Sequence, residues 1–199
     1  MNDQYDSSYT SYQVNRGRIR KRVRQLYLEK AASWTRGATL DFGCGVGELL
    51  RRLPSGSMGL EYNQATVSHC HHEGLPVIWY DGFADDWALT ALEPGRRFES
   101  MVISHVLEHL EEPLEVLLKL LRSGRARGIR RVLVIVPGRA GFRIDHTHRT
   151  FVDLGLLSTE RIPTETGFRS IHAAYFPLNL RRVGDWFPHH ELQMVFEHP

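Results

Sequence analysis

Cysteine is scarce. The 199 residues contain two, Cys44 and Cys70. Neither belongs to a C-x-x-C pair, which excludes a disulfide scaffold at this size and suits a reducing compartment. Long apolar runs are also missing: none approaches the roughly 18 to 20 residues that cross a bilayer, so no membrane role is expected. The opening MNDQYDSSYTSYQ lacks the apolar core of a secretory signal, which makes the cytoplasm the default location. A net charge of +2 is too small to announce a nucleic-acid partner. No G-K-[ST] follows a glycine-rich turn, so a Walker phosphate loop is excluded.

With 42% hydrophobic and 24% charged residues, the composition is that of a soluble globular chain. Its length suits a single domain over 1–199 with an N-terminal helical or lid segment over 1–36. No internal repeat is visible. Basic residues cluster in RGRIRKRVR (Arg16 to Arg24), with Ile19, Val23, Leu26 and Tyr27 at helical spacing. This reads as an amphipathic helix whose arginines face outward, either solvated or touching a substrate anion or RNA.

Strand-like and helix-like stretches then alternate. Ala38 to Phe42 reads as a strand, Gly47 to Leu53 as a helix, Ser57 to Glu61 as a strand, and Gln64 to Glu73 as a helix. Strands follow at Pro76 to Tyr80 and Ser100 to Ser104. A leucine-striped helix comes next (Leu110, Leu114, Leu117, Leu118, Leu121), ended by Gly124, and then a β-branched strand from Arg131 to Val136. Near-continuous apolar strands separated by helices predict a doubly wound, mostly parallel α/β sheet covered on both faces. Phe168 to Phe176 and Glu191 to Glu197 would add an antiparallel C-terminal pair, completing seven strands of a Rossmann-like sheet. Ligands of such sheets bind beyond the C-terminal strand ends.

The residues just after the first strand are therefore informative. In TLDFGCGVGELL the glycines Gly43, Gly45 and Gly47 do not keep the G-x-G-x-x-G spacing of a dinucleotide site, and Glu48 follows them. Asp41 precedes the turn. Negative charge there repels a pyrophosphate and attracts a ligand carrying an ammonium group, while the glycines let the ligand lie against the backbone.

This stretch resembles the first motif of the class I S-adenosylmethionine (SAM) dependent methyltransferases of type 11/12, and the resemblance runs from about Thr39 to Phe151. It implies SAM as cofactor, with Asp41 at the methionine end and Gly43, Gly45 and Gly47 beside the adenosine. Glu61, in MGLEYN, matches the acidic residue expected at the end of the second strand. A carboxylate there can accept both hydrogen bonds of a ribose diol. In WYDGF, Asp81 with Gly82 matches the motif that accepts from the adenine amino group, and Tyr62 and Trp79 would flank the base. Ser104 and His105, in ISHVLEHL, would line the methyl-transfer site.

Methyl transfer to a hydroxyl also needs alignment and often a base. His105, His146 and His148 are the candidate catalytic residues. Two readings of this region stay open. In one, VLEHL is structural and a histidine after the fifth strand meets the acceptor. In the other, His105, Glu108 and His109 with a later histidine resemble the E-x-x-E-H metal constellation of small-RNA 2'-O-methyltransferases and some quinone-precursor O-methyltransferases. His105 replaces a glutamate in that pattern, which favours zinc over magnesium, and no metal ligand is assigned. Elsewhere, SHCHHEG should lie on a covering helix, His189 and His190 in a solvated turn, and Cys44 as a buried filler. Tyr9 or Tyr12 would close over the cofactor, or else this segment is plainly disordered. The expectation is a SAM-dependent methyltransferase acting on oxygen of a small-molecule or glycan acceptor. A nucleic-acid acceptor is disfavoured, a homodimer through the tail strands is conceivable, and a SAM-binding accessory protein is the alternative from another class.

Overall fold

The computed structural model describes residues 18–199, with side chains from residue 25 onward. Tyr9, Tyr12, Arg16 and the outward arginines of the basic cluster lie outside these limits. The first helix, α1, spans Arg18–Ser33. Among its described side chains Tyr27, Leu28 and Ala31 are buried, whereas Leu26 is 62% exposed. Leu26 thus leaves the apolar stripe expected of it, because the i, i+1, i+4 set of Tyr27, Leu28 and Ala31 is the one that faces the sheet.

Seven strands form one sheet in the order β3-β2-β1-β4-β5-β7-β6. They are β1 (Thr39–Phe42), β2 (Met58–Glu61), β3 (Val77–Trp79), β4 (Ser100–Ser104), β5 (Arg131–Pro137), β6 (Arg169–Phe176) and β7 (Glu191–Glu197). The first five pair in parallel, and β7 runs antiparallel to both β5 and β6. The expected sheet and its antiparallel tail are both present. Central strands such as RVLVIVP are buried almost throughout, as both faces of a parallel sheet are covered.

Alternation within the strands sorts their side chains. Leu40, Phe42, Met101, Ile103, Val132 and Val134 pack on one face with Leu117, Leu118 and Leu121 of α3 (Pro113–Ala126). Val102, Leu133 and Ile135 point the other way, onto Tyr27, Leu28 and Ala31 of α1. Gly124 does not end α3. It sits inside the helix because Ile129 and Met101 press against it, and the chain turns at Gly128, in the left-handed region.

Between α1 and α3, helix α2 covers Gln64–His72 and is capped by Asn63, whose side chain accepts from the backbone N–H groups of Ala65 and Thr66. The helix expected from Gly47 to Leu53 shrinks to a 3-10 turn at Leu50–Arg52. Gly47 is left-handed (φ +72°), and Leu53 is extended ahead of Pro54, so neither end can continue a helix. Three short helices between β5 and β6 were not anticipated: α4 (Arg139–Ile144), α5 (Leu154–Leu157) and α6 (Arg161–Thr166). Each is too short to display a helical period.

Strand order reverses between β1 and β4, which opens a crevice at their C-terminal ends. The segments that follow β1, β2, β3, β4 and β5 meet there.

Candidate active site

The loop after β1 is shaped by backbone conformations that suit glycine. Gly43, Gly45 and Gly47 have φ of +71°, +52° and +72°. A Cβ on Gly43 would lie 2.4 Å from Val106, and one on Gly47 would lie 2.5 Å from Leu75. Cys44 packs beneath the loop against Gly59 of β2, where a Cβ would lie 2.5 Å from its sulfur. Both Cys44 and Cys70 direct their thiols at the Gly45 carbonyl. The neighbouring Cys70 thiol, together with burial, pushes the Cys44 thiol up, in keeping with a buried filler. Asp41 is buried in β1 just before this turn.

Glu61 ends β2 and ties the loop in place. Its Oε2 accepts from the N–H of Gly45 (2.9 Å) and its Oε1 from the N–H of Asn63 (2.8 Å). Burial raises the Glu61 carboxyl above its usual range, against the backbone N–H donors of Asn63 and Gly45. Each oxygen has a second lone pair, so the carboxylate can still accept from two hydroxyls. Beside it, Tyr62 and Trp79 are 49% and 44% exposed, and the Trp79 indole donates to the Tyr62 carbonyl (2.7 Å). Asp81 folds into an Asx turn by accepting from the N–H of Phe83 (3.0 Å). Gly82 is pressed against Trp87, whose ring would lie 2.3 Å from a Cβ.

At the end of β4, Ser104 shares a hydrogen bond with the Tyr27 hydroxyl (2.8 Å), so α1 forms a wall of this edge. His105 follows with φ +55°, a left-handed backbone that costs a non-glycine residue about 1 to 2 kcal/mol. Its N–H continues the ladder to the Ile135 carbonyl. Its ring is held on both sides, with Nδ1 3.0 Å from Glu108 and Nε2 3.0 Å from Glu191. Burial opposes a charge on this imidazole, but the carboxylates of Glu191 and Glu108 outweigh it and push the pKa up to about 10.

Residues 105–109 form no α-helix; Leu107–His109 is a single 3-10 turn. His105 and His109 therefore do not share a helix face. Glu108, fully buried, lies between them, and its backbone carbonyl accepts from the N–H groups of Arg149 and Thr150 on the loop after β5. That loop brings His148 to Glu108 (4.0 Å) and stacks it on Phe142 (5.3 Å). His109 meets His148 edge to face at 4.8 Å, and burial pushes its imidazole down. Burial also works against the charge of Asp145, yet two hydrogen bonds from Thr147 hold its carboxyl below the usual range.

Among the described residues, one potential donor atom from each of Glu108, His109 and His148 lies within 4.8 Å of the others. His105, committed to Glu191, stands outside that group. His146 is exposed on the same loop and is not drawn into it.

Other histidines fall elsewhere. His71 and His72 are exposed on α2, where His71 reaches the Val77 carbonyl. His189 is exposed, but His190 is fully buried, bonded to the Leu178 carbonyl (2.9 Å) and stacked on Tyr175. The solvated turn expected for His190 is thus wrong, because β7 begins one residue later and draws it inside. Tyr27 and Glu191 were not singled out by their sequence context. Each reaches this edge across a long separation, and the only signals were the apolar stripe of α1 and the start of the last strand.

No curated protein matches the chain in sequence. Among solved structures, a SAM dependent methyltransferase from Archaeoglobus fulgidus superposes with a TM-score of 0.68 at 20% identity, covering 96% of this chain and 100% of that one. Magnesium protoporphyrin IX methyltransferase (ChlM) from Synechocystis PCC 6803 with bound SAH gives 0.68 at 14% identity, covering 98% and 96%. The methyltransferase domain of bacterial CtHen1-C gives 0.59 at 14% identity, covering 87% and 95%. The fold is that of the class I SAM-dependent methyltransferases. The family model described as "Methionine biosynthesis protein MetW" matches residues 28–155, from α1 through α5, and the chain belongs to that family.

Proposed function

We propose that the chain binds SAM along the C-terminal edge of β1, β2 and β3 and transfers its methyl group to an oxygen of a small molecule or sugar. One observation carries this reading. Glu61 holds the left-handed glycine loop by its Gly45 amide, and each of its oxygens, bonded to one backbone N–H, has a lone pair left to accept a further hydrogen bond. Such a carboxylate is suited to a ribose diol and hostile to a pyrophosphate. Asp41 would draw the ammonium end of the ligand, and Gly43, Gly45 and Gly47 would let its body approach the backbone. Tyr62 and Trp79 would flank the adenine, with Asp81 and the turn at Gly82 on its amino side.

The acceptor would enter between Ser104, His105 and the loop after β5. His105 is a positioning residue in this scheme, because both of its ring nitrogens are bound to carboxylates. His146 is the exposed ring of the loop and would take the acceptor proton, while His148 anchors the loop to Phe142. The leaving group is the sulfide of the demethylated cofactor, so the protein has only to align the acceptor oxygen and receive its proton. The family description makes small molecules of methionine biosynthesis the first acceptors to assay.

The test is transfer of an isotopically labelled methyl group from SAM into separate pools of small molecules, glycans, RNA and protein. Label in the small-molecule or glycan pool is the expected result. Label in RNA or protein alone would overturn the acceptor class. No label anywhere, with calorimetry still registering SAH, would assign the chain an accessory role.

A further inference from the structure

We propose that the connection between β6 and β7, together with α4, docks on the surface of an anionic phospholipid bilayer. The lack of long apolar runs speaks only to crossing a bilayer. Among the described residues no helix is long and apolar enough to do so, and the contact proposed is peripheral.

The connection, PLNLRRVGDWFPHH over 177–190, sets apolar and basic side chains next to one another. Pro177 to Arg182 are exposed without interruption. Leu178, Leu180 and Trp186 are 56%, 64% and 71% exposed. Their backbone is nonetheless bonded into a frame. Arg181–Asp185 forms a 3-10 turn, in which the Val183 N–H donates to the Leu180 carbonyl and the Phe187 N–H to the Val183 carbonyl. Buried Val183 and His190 hold it from beneath, the latter through its bond to the Leu178 carbonyl. The apolar side chains are thus presented outward by a fixed turn.

Helix α4 is seated on the same frame. A Cβ on Gly138 would lie 2.9 Å from Gly184, and one on Gly141 2.6 Å from the Pro188 carbonyl oxygen. This close approach adds Ile144, 71% exposed, and the exposed Arg139 and Arg143 to Arg181 and Arg182. Across 138–144 and 177–190 the sequence holds four arginines and a single carboxylate, Asp185. That carboxylate lies 3.5 Å from Arg139, which leaves three guanidinium charges with no counterpart in either segment.

Charge and area together choose the occupant. A positive surface complements anionic headgroups, and each arginine close to them strengthens attachment about 5-fold. Leu178, Leu180, Trp186 and Ile144 together expose roughly 500 Å², short of the about 800 Å² per partner that a stable protein interface buries. A bilayer needs no shape-matched counterpart: the leucines and the indole enter the headgroup boundary while the arginines stay level with the phosphates. β7 begins opposite Pro137, at the end of β5, so the patch borders the crevice on its β5 side. Docking would set that side of the crevice beside the lipid surface.

The experiment is sedimentation of the full chain, without SAM, on vesicles of phosphatidylglycerol and phosphatidylcholine in equal parts, against vesicles of phosphatidylcholine alone. Binding to the anionic vesicles is expected, weakening several-fold between about 0.1 and 0.5 M sodium chloride. Arg181→Ala combined with Arg182→Ala should weaken it about 30-fold, and Leu180→Ser combined with Trp186→Ser about 10-fold or more. These positions are exposed, and melting temperatures equal to that of the parent chain will show that the fold survives. Trp186→Phe should keep the binding and abolish the vesicle-induced blue shift of tryptophan fluorescence. No uptake on anionic vesicles, equal uptake on phosphatidylcholine, or uptake unmoved by either double substitution would each overturn the proposal. Self-association of the chain that disappears in the Leu180→Ser and Trp186→Ser variant would assign the patch to a second copy and overturn it as well. Vesicle binding is read without SAM, so its failure leaves the methyltransferase reading standing, and failure of methyl transfer leaves the docking surface standing.

Discussion

Glu61 is asked to do two things with one carboxylate, and the two can be separated by substitution. Its oxygens accept backbone N–H groups from Gly45 and Asn63, and their remaining lone pairs are available to a ribose diol. Glu61→Ala should weaken SAH binding by about 2 to 4 kcal/mol, the loss of two charge-assisted hydrogen bonds, as measured by calorimetry. Unchanged affinity would remove the ribose assignment. The pH dependence has a definite sign. The carboxyl titrates above 4.5 because it is buried, and protonation removes an acceptor. SAH affinity should therefore fall on acidification at a pH above that of an ordinary glutamate, and this fall should be absent in Glu61→Gln. The same shift means that the charged form of Glu61 lowers stability above its folded pKa, and acidification through that pKa relieves the cost. On the acceptor side, His146→Ala should lower kcat about 100-fold or more while SAH affinity stays the same. Loss of SAH binding instead would move that loop away from the acceptor.

At the scale of elements, Gly124 distinguishes two accounts of α3. A glycine that ends a helix tolerates an asparagine or another polar residue, whereas one inside it is held small by its neighbours. A Cβ at Gly124 would lie 3.2 Å from Ile129, so Gly124→Val should destabilise the protein by about 1 to 3 kcal/mol in chemical denaturation. No loss of stability would mean that the helix frays before this point. The longer elements of this fold were legible because their pattern persists: β5 is rich in β-branched residues, and α3 repeats leucine from Leu114 to Leu121. The pieces that escaped are short or governed by contacts far along the chain. The turn at Leu50–Arg52 looks helical in composition, but Gly47 and Pro54 deny it both ends. The site divides along the same line. Asp41, Glu61 and Ser104 lie at or next to the last residue of their strands and Asp81 just beyond β3, so position along the chain points to them. Tyr27 meets Ser104 across 77 residues, and Glu191 meets His105 across 86. No local pattern announces such a pairing. His190 illustrates the same difficulty in reverse, since a polar residue beside a turn gave no sign that β7 would bury it.

Across the whole molecule, the two halves of the crevice are assembled differently, and this should govern how it responds to ligand. The half proposed for the cofactor is built from consecutive segments, with the loop after β1 fastened to β2 by Gly43 and Cys44 N–H bonds to the Leu60 carbonyl as well as by Glu61. The half proposed for the acceptor gathers α1, the turn after β4, the loop after β5 and the first residue of β7, joined by Tyr27–Ser104, His105–Glu191 and the Arg149 and Thr150 amides on Glu108. Contacts made by few atoms from separate elements open more readily than a continuous ladder. Amide hydrogen exchange should accordingly find Gly45 and Asn63 protected before SAH is added, with little further slowing on binding. The Arg149 and Thr150 amides should exchange faster in the free protein and slow when an acceptor analogue joins SAH, because closing that half orders groups that the cofactor alone does not reach. Fast exchange at Gly45 in the free protein would mean that the glycine loop is ordered by its ligand. In that case the contribution of Glu61 to loop geometry would have to be counted as part of cofactor binding, and the affinity lost in Glu61→Ala would exceed that of the two ribose hydrogen bonds.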